Sequence, residues 1–326
     1  MREFAFELAV CAAIEAESDG VVARQLGTRS RVVDVVEIEP GPEFDARTEI
    51  TSEAIPGPAI ESDVGVGRAR RATAAIDADP GRAESIADRA VEIGFFEAER
   101  RGRKRVVRQA TRYPDWIGGL TAIENKPDLG RPGDLERQLR KDVSLSLFDE
   151  IVLVTGSYVT GAHLNRIPDP VGVRRFDAET GSFETVREPS RLRSDSAGIA
   201  ILEESAAKTD IEPIGPERKA RMRRRIAERA YGKGWRPEAL PGCERAAPRG
   251  PPFGPEDALP YCEWKERFVD PARECGPECP EYAPTEPPAV DPDALRDRRT
   301  GWKADPGGVA RRQAGLGRFG EDEDGE

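Results

Sequence analysis

Apolar residues recur along this chain with two spacings, one typical of helices and one typical of strands. Apolar positions three and four residues apart predict a helix, while alternation or a short unbroken apolar run predicts a strand. The predicted helices are residues 3–17, 85–101, 134–148 and 216–232. The predicted strands are residues 31–39, 104–116, 120–127 and 151–155.

The order of these segments indicates an α/β protein. Helix, strand, helix, two strands, helix and strand follow one another, with a proline- and glycine-rich loop or hairpin over residues 40–63. Residues 172–204 can add further strands. We therefore expect one domain over residues 1–204, built as a mixed central sheet with helices packed on it. A separate basic helix is predicted within residues 205–236.

The last third of the chain has a different composition. Proline and glycine become frequent, and four of the five cysteines fall within residues 237–284. We predict an irregular, cysteine-containing, metal-binding region there. Residues 285–326 remain rich in proline and glycine and end in the acidic run 321–326, which favours disorder.

The charge of the chain is strongly acidic, and its basic residues are almost all arginine. The formal net charge is −11, and the sequence holds 8 lysines and 42 arginines. This composition resembles that of proteins from salt-loving archaea. Because salt screens charges beyond a few Å, the acidic total does not exclude a nucleic-acid partner.

No segment of the sequence has the length and composition of a membrane span or a leader peptide. The longest apolar stretch near the N-terminus, residues 4–14, is interrupted by Glu7 and is too short to cross a bilayer. We therefore expect a cytoplasmic protein without a membrane partner. In a reducing compartment, the cysteines are metal ligands more often than disulfide partners.

One segment combines two carboxylates with a lysine. If Gly118 and Gly119 form a two-residue hairpin turn, Asp115 lies diagonal to Glu124, about 7–8 Å away. Alternation then places Lys126 on the same face. Carboxylates hold Mg²⁺ or Mn²⁺, the ion activates a water molecule, and a lysine stabilises developing charge. These three residues together predict metal-dependent hydrolysis of phosphodiester bonds.

The same residues resemble a known family. Pro114-Asp115 followed by Glu124-Asn125-Lys126 is similar to the motif of the PD-(D/E)XK nucleases, including their RecB-like members. The resemblance covers about the first 160 residues and implies a restriction-endonuclease-like fold of helix, three strands, helix and strand. It further implies that Asp115 and Glu124 bind metal. The implied catalytic residues are Asp115, Glu124, Lys126, Gln138 and Glu7.

The predicted helix at residues 216–232 is a candidate nucleic-acid-binding element. The guanidinium group of arginine can bind two phosphate oxygens at once. We therefore expect contacts to the nucleic-acid backbone that do not depend on base sequence. The alternative is a solvated helix whose arginines pair with the surplus carboxylates. The candidate binding residues are Arg218, Lys219, Arg221, Arg223, Arg224, Arg225 and Arg229.

The late cysteines are candidate metal ligands. Cys243, Cys262, Cys275 and Cys279 offer four thiolates in a segment with few apolar residues. Zn²⁺ in a four-cysteine site is one interpretation. The RecB-like resemblance implies another, a [4Fe–4S] cluster, in which Cys11 could take part. Free thiols are the third, and the sequence leaves all three open.

Three functional hypotheses follow from the sequence. The leading one is a Mg²⁺- or Mn²⁺-dependent nuclease acting on DNA, with RNA not excluded, in repair, recombination or defence. The second is an inactive nuclease-like protein that binds nucleic acid and carries a C-terminal metal. The third is a small-molecule or regulatory protein whose motif is accidental. The oligomeric state is left open.

Overall fold

A computed structural model describes residues 2–27, 32–130, 133–205, 208–237, 239–254 and 258–307. The helices are α1 (Glu3–Glu17), α2 (Phe44–Thr48), α3 (Gly57–Ile60), α4 (Ala72–Ala75), α5 (Pro80–Glu92), α6 (Leu135–Leu145), α7 (Gly161–Leu164), α8 (Pro216–Lys233), α9 (Pro271–Glu274) and α10 (Pro292–Arg299). The strands of the first half are β1 (Val21–Gly27), β2 (Val32–Pro40), β3 (Phe96–Arg101), β4 (Lys104–Gln109), β5 (Ile117–Asn125) and β6 (Glu150–Thr155). Those of the second half are β7 (Gly172–Asp177), β8 (Ser182–Arg187), β9 (Gly198–Glu204), β10 (Thr209–Ile214), β11 (Ala246–Arg249), β12 (Leu259–Cys262) and β13 (Arg267–Phe268).

Six strands form a mixed central sheet in the order β1-β2-β5-β6-β7-β8. β1, β2 and β5 are antiparallel neighbours, β5, β6 and β7 run parallel, and β8 is antiparallel to β7. Parallel neighbours need a crossover connection, and α6 lies in the one between β5 and β6. The predicted α/β class, with a mixed central sheet and flanking helices, is confirmed.

Helices cover both faces of this sheet. Ile123 of β5 packs in one apolar cluster with residues of α1, including Phe6. Its neighbour Ala122 packs in another cluster with Leu139 of α6 and Tyr231 of α8. Adjacent strand residues point to opposite faces, so α1 lies on one face and α6 and α8 on the other. Among the described helices, none is long and apolar enough to cross a membrane.

The predicted hairpin turn at Gly118 and Gly119 is wrong. Both glycines lie inside the single strand β5. A Cβ atom at Gly118 would stand 2.6 Å from the Pro40 carbonyl oxygen, and one at Gly119 would stand 2.8 Å from a Glu39 carboxylate oxygen. The glycine pair therefore permits close approach of β2, and it does not reverse the chain.

The segment between β2 and β5 also differs from expectation. The predicted helix over residues 85–101 ends at Glu92, and Gly94 takes a positive φ of 77° just after it. Residues 96–109 then form the separate hairpin β3–β4 instead of joining the central sheet. The short helices α2 and α3 lie within the predicted loop of residues 40–63. Strand β1, which pairs with β2, was not predicted at all.

Part of the C-terminal region is ordered against the domain. Residues 292–299 form α10, and Trp302 is buried in the same cluster as Tyr231 of α8. The predicted disorder of residues 285–326 does not hold for these residues. Residues 308–326, including the acidic end, lie outside the described residues. The predicted basic helix is confirmed as α8.

A buried ion pair connects α8 to the inserted helix α2. Arg47 donates to both carboxylate oxygens of Glu228 at 3.0 and 2.8 Å, and both side chains are at most 2% exposed. The same carboxylate accepts hydrogen bonds from the Ile55 amide at 2.8 Å, the Tyr113 hydroxyl at 2.8 Å and the Trp116 indole at 3.2 Å. Buried charges are tolerated when they are paired and hydrogen-bonded in this way.

Replacing Arg47 with leucine should destabilise the fold strongly. The change leaves the Glu228 carboxylate buried without its counter-charge, and breaking a buried pair costs about 3–5 kcal/mol. The matched control is Arg101→Leu, since Arg101 is 63% exposed and pairs with Glu99 on the surface, where the expected cost is about 0–1 kcal/mol. The measurement is the free energy of unfolding by denaturant titration in fixed high KCl. Equal loss of stability in the two variants would contradict the prediction.

Candidate functional site

Two acidic residues lie at the same end of strands β2 and β5. The β2–β5 ladder ends at the pair Val35 and Ile123, one residue short of Asp34 and one short of Glu124. The Asn125 amide donates to Asp34 Oδ2 at 3.0 Å, which fixes the aspartate at this end of the sheet. Asp34 therefore lies beside the end of β5 that carries Glu124.

Glu7 of α1 reaches the same end of the sheet. Its carboxylate accepts hydrogen bonds from Arg24 at 2.9 Å and from Gln25 at 2.6 Å. The Gln25 amide nitrogen also lies 3.4 Å from Asp34 Oδ1 and so bridges the two acids. Gln25 has a φ of 50°, a left-handed conformation that costs energy in a residue other than glycine. Backbone strain is thus located beside two carboxylates.

Burial is the main influence on the protonation of Glu7. The residue is 3% exposed, and burial raises the pKa of its carboxyl above the ordinary value. Arg24 opposes this shift through a hydrogen bond and its charge, whereas the neighbouring Asp34 adds to the shift. Because its pKa is raised, ionisation of Glu7 in the folded protein costs free energy.

The residues after Glu124 complete the group. The Lys126 amide donates to the Val154 carbonyl at 2.9 Å, which continues the strand direction. Its ammonium lies 3.6 Å from the Glu3 carboxylate. Asn125, which lies between Glu124 and Lys126 in the chain, is 1% exposed, and its side-chain amide has no hydrogen-bond partner among the described residues. We call Glu7, Gln25, Asp34, Glu124 and Lys126 the carboxylate edge. Glu7 belongs to the face of the sheet that α1 covers, whereas strand alternation points Glu124 towards the face of α6 and α8.

Asp115 does not belong to this edge, and its predicted convergence with Glu124 is wrong. It lies just before β5, whereas Glu124 lies near the end of that strand. Nine residues of extended chain separate the two by about 30 Å. Asp115 is exposed, and its amide donates to the Glu43 carboxylate at 2.5 Å. The Pro-Asp pair therefore lies at the opposite end of the sheet.

Gln138 lies on α6, the helix that follows β5. It is half-buried and precedes Leu139, which packs against the face of the sheet that carries Ala122. Glu124 is two residues beyond Ala122 on the same strand and therefore points to the same face. The structure thus places Gln138 in the layer above Glu124, although no described hydrogen bond joins the two side chains.

Asp34 is the residue that sequence reasoning missed. It interrupts a run of four valines, Val32-Val33 before it and Val35-Val36 after it. A lone acid in an otherwise apolar strand is costly unless it is paired or used. That interruption was the available signal, but placing Asp34 beside the end of β5 requires knowing that β2 and β5 are neighbours in the sheet.

The seven predicted nucleic-acid-binding residues of α8 divide into two groups. Lys219 is buried and donates to the Arg193 carbonyl at 2.8 Å, and Arg223 bonds to Asp149 at 2.7 Å. Arg224 lies 5.6 Å from the centre of the Tyr113 ring. These three residues support the fold. The remaining four, spaced three or four residues apart on one side of the helix, are Arg218, Arg221, Arg225 and Arg229.

Those four residues, the arginine row, line a cavity of about 750 Å³. Its floor is apolar and includes Leu147 and Met222. Carboxylates also lie there, since Glu61 is 2.9 Å from Arg225 and 3.9 Å from Arg221. The last member of the row, Arg229, donates to the Gly27 carbonyl at the end of β1. The C-terminal end of the arginine row therefore lies near the carboxylate edge.

The four late cysteines line a second, much smaller cavity of about 20 Å³. Cys243 and Cys262 are buried, and Cys275 and Cys279 are half-buried. Burial raises the pKa of the Cys275 thiol, and the three other cysteines add to the shift. Throughout the described residues, no three His, Cys, Asp or Glu side chains are already arranged to hold a metal ion.

The chain belongs to DUF5787, a family of unknown function, which it matches over residues 21–284. That range includes every strand of the central sheet, helix α8 and the four late cysteines. No curated protein and no solved structure matches the chain. The family assignment therefore groups this chain with its relatives and leaves the chemistry to be argued from the site.

Glu7→Gln should become more stable relative to the wild type as pH rises. Because the folded-state pKa of Glu7 lies above its usual 4.5, the folded protein holds a proton that the unfolded chain lacks between the two values. Wild-type stability from this group is present at lower pH and is lost as pH rises through the raised pKa. The variant has no such loss.

The measurement is denaturant unfolding of both proteins at about pH 4 and about pH 7 in constant high KCl. We expect the stability of Glu7→Gln minus that of the wild type to be larger at the higher pH. A difference that shrinks as pH rises would mean that Arg24 and Gln25 outweigh the cost of burying Glu7.

Proposed function

We propose that this member of DUF5787 is a metal-dependent nuclease related to the PD-(D/E)XK enzymes, with Asp34 in the place first given to Asp115. The observation that carries the proposal is the hydrogen bond from the Asn125 amide to Asp34 Oδ2 at 3.0 Å, which holds Asp34 at the strand end that carries Glu124. Lys126 follows two residues later. The proposed catalytic group is Glu7, Asp34, Glu124, Lys126 and Gln138.

The order of elements around this group supports the proposal. The PD-(D/E)XK fold consists of a helix, three strands, a helix and a strand. Here α1, β1, β2, β5, α6 and β6 follow in that order, with neighbouring strands adjacent in the sheet. Residues 41–116, between β2 and β5, are then an insertion at the end of the sheet opposite to the carboxylate edge. A restriction-endonuclease-like core is accordingly proposed for residues 3–155.

The donor set fits Mg²⁺ or Mn²⁺ in chemistry. Asp34 and Glu124 offer the hard carboxylate oxygens that these ions prefer. Glu7 lies on α1 and is linked to Asp34 through the Gln25 side chain. When bound, the ion would supply a more acidic water and neutralise charge on the phosphate. In the described part of the chain these acids do not already surround a common point, so binding requires their side chains to turn towards the ion.

The chain's own residues would position the reactants. Lys126, with a side chain that is 26% exposed, can donate a hydrogen bond to the attacking water or to a phosphate oxygen. The buried Asn125 amide, which lacks a partner among the described residues, can accept or donate to a bound water or ligand. Glu7 holds Arg24 and Gln25, and through Gln25 it orients Asp34.

A catalytically inactive nucleic-acid-binding protein is the second candidate. The observation in its favour is that Arg24 and Gln25 already occupy the Glu7 carboxylate. A guanidinium so placed competes with a divalent cation for the same oxygens. In this case, the arginine row would bind nucleic acid, and the carboxylate edge would only stabilise the fold.

Asp34→Asn should abolish cleavage, whereas Asp115→Asn should not. Asparagine keeps the size of the side chain but removes the charge that would hold the cation, and we expect a loss of at least about 100-fold in rate. Glu124→Gln and Lys126→Ala should behave like Asp34→Asn. The measurement is cleavage of single-stranded and plasmid DNA with Mg²⁺ or Mn²⁺ in high KCl.

Circular dichroism and thermal unfolding of each variant show whether the fold is retained. Equal loss in Asp115→Asn and Asp34→Asn would contradict the assignment of Asp34. Binding without metal-dependent cleavage in the wild type would favour the inactive candidate over the nuclease.

Nucleic-acid binding should depend on the arginine row. Arg221 and Arg225 are 43% and 50% exposed and line the large cavity, where they can contact phosphates. The double change Arg221→Gln with Arg225→Gln should weaken binding of a fluorescent single-stranded oligonucleotide. Each lost phosphate contact should also reduce the slope of log affinity against log salt by about 0.7.

The matched control changes Arg89 and Arg105 to glutamine. These two are 41% and 38% exposed and also pair with carboxylates, but they belong to the insertion between β2 and β5. If the control pair lowered affinity and salt slope as much as Arg221 and Arg225 do, the arginine row would not be a specific binding surface.

A further inference from the structure

Four cysteines from four separate positions of the chain meet around one small cavity. Cys243 precedes β11, Cys262 ends β12, Cys275 follows α9, and Cys279 comes one turn later. The cavity that they line holds about 20 Å³. A single water-sized sphere needs about 10–15 Å³, so only a small space separates the side chains that line the cavity.

The backbone brings the first two cysteines together. The β11–β12 ladder pairs Ala246 with Cys262, and the Ala246 amide donates to the Cys243 carbonyl at 2.9 Å. Cys243 therefore turns back over the start of the ladder, beside Cys262. Its other neighbour is Pro284, with which it forms an isolated bridge.

The second pair is held against the first by an ion pair and by turns. Cys262 pairs with Arg267 of β13, and Arg267 bonds to Glu274, which immediately precedes Cys275. The Cys279 amide then donates to the Gly276 carbonyl at 2.9 Å, which closes a turn that carries both thiols.

This part of the chain has little else to hold it together. Among its described residues between 239 and 284, the buried apolar side chains other than cysteine and proline are Leu240, Leu259 and Val269. Short segments with so small a core usually depend on a cross-link or a metal. Four thiols around one cavity provide the means for such a cross-link.

We propose that Cys243, Cys262, Cys275 and Cys279 bind one Zn²⁺ ion that holds the β11–β13 sheet together. Zn²⁺ in structural sites is bound tetrahedrally by four such ligands, with sulfur at about 2.3 Å. The described thiols are not yet in that arrangement, so the ion would draw them inward and contract the cavity.

The charges around the cavity suit a zinc–thiolate centre. Four thiolates with one Zn²⁺ leave two net negative charges, and ligands must be deprotonated to bind. Arg245 and Lys265 line the same cavity, and Arg267 lies beside Cys262 in the ladder. These three cations already pair with Glu281 and Glu274, two carboxylates that line the same cavity, so the thiolates of a zinc site would share them.

The test is the metal content of the full-length protein, purified under reducing conditions in high KCl and analysed by mass spectrometry. We expect one zinc per chain and, after exchange, the visible absorption of tetrahedral cobalt thiolate. Cys275→Ser and Cys279→Ser alter half-buried positions and should lose the zinc to a chelator that leaves the wild type loaded. The control is Cys11→Ala, because Cys11 is buried on α1 and does not line the cavity.

A second measurement guards against variants that fail to fold. Removing the metal from the wild type should lower its midpoint of thermal unfolding, and added zinc should restore it. Wild-type protein that contains no metal and takes up neither zinc nor cobalt would overturn the proposal. Iron and sulfide in stoichiometric amounts, or zinc retained equally by all the variants, would also overturn it. None of these results depends on nuclease activity.

Discussion

The rest of the fold depends on one buried carboxylate, that of Glu228. Removing such a charge from water is costly, and the structure compensates with Arg47, the Ile55 amide, the Tyr113 hydroxyl and the Trp116 indole. These donors come from α2, from the loop after it and from the segment before β5. One acid on α8 therefore attaches the whole insertion to the sheet and determines where β5 begins.

Strand β5 joins this structural network to the candidate chemistry. Trp116, just before its first residue, is buried in the network, whereas Glu124 and Lys126 lie at its far end. In the sequence, Asp115 and Glu124 are close enough to read as one motif. Extended backbone instead carries them about 30 Å apart. Tyr113 and Trp116, the aromatic residues on either side of Asp115, are packed and hydrogen-bonded to Glu228. These contacts account for the position of that segment.

Local spacing was enough to predict α1, α6 and α8 and the buried strand β6, because each has a continuous apolar face or run. It was not enough for β1, whose last residues, Arg24-Gln25-Leu26-Gly27, lack strand alternation and owe their place to pairing with β2. The same limit applies to the candidate site. Glu7, Glu124, Lys126 and Gln138 were named from a motif and a fold. Asp34 instead reaches the end of β5 through the pairing of β2 with β5, where it accepts from Asn125, 91 residues later in the chain, and no local pattern encodes that contact.

The fixed position of Arg24 constrains how a cation could bind at the carboxylate edge. Its guanidinium donates to the Glu7 carboxylate and to the Trp235 carbonyl, both at 2.9 Å, so it is held at two points beside Glu7. A divalent ion would therefore depend on Asp34 and Glu124, and by neutralising their charge it would reduce the repulsion that opposes bringing the two carboxylates together.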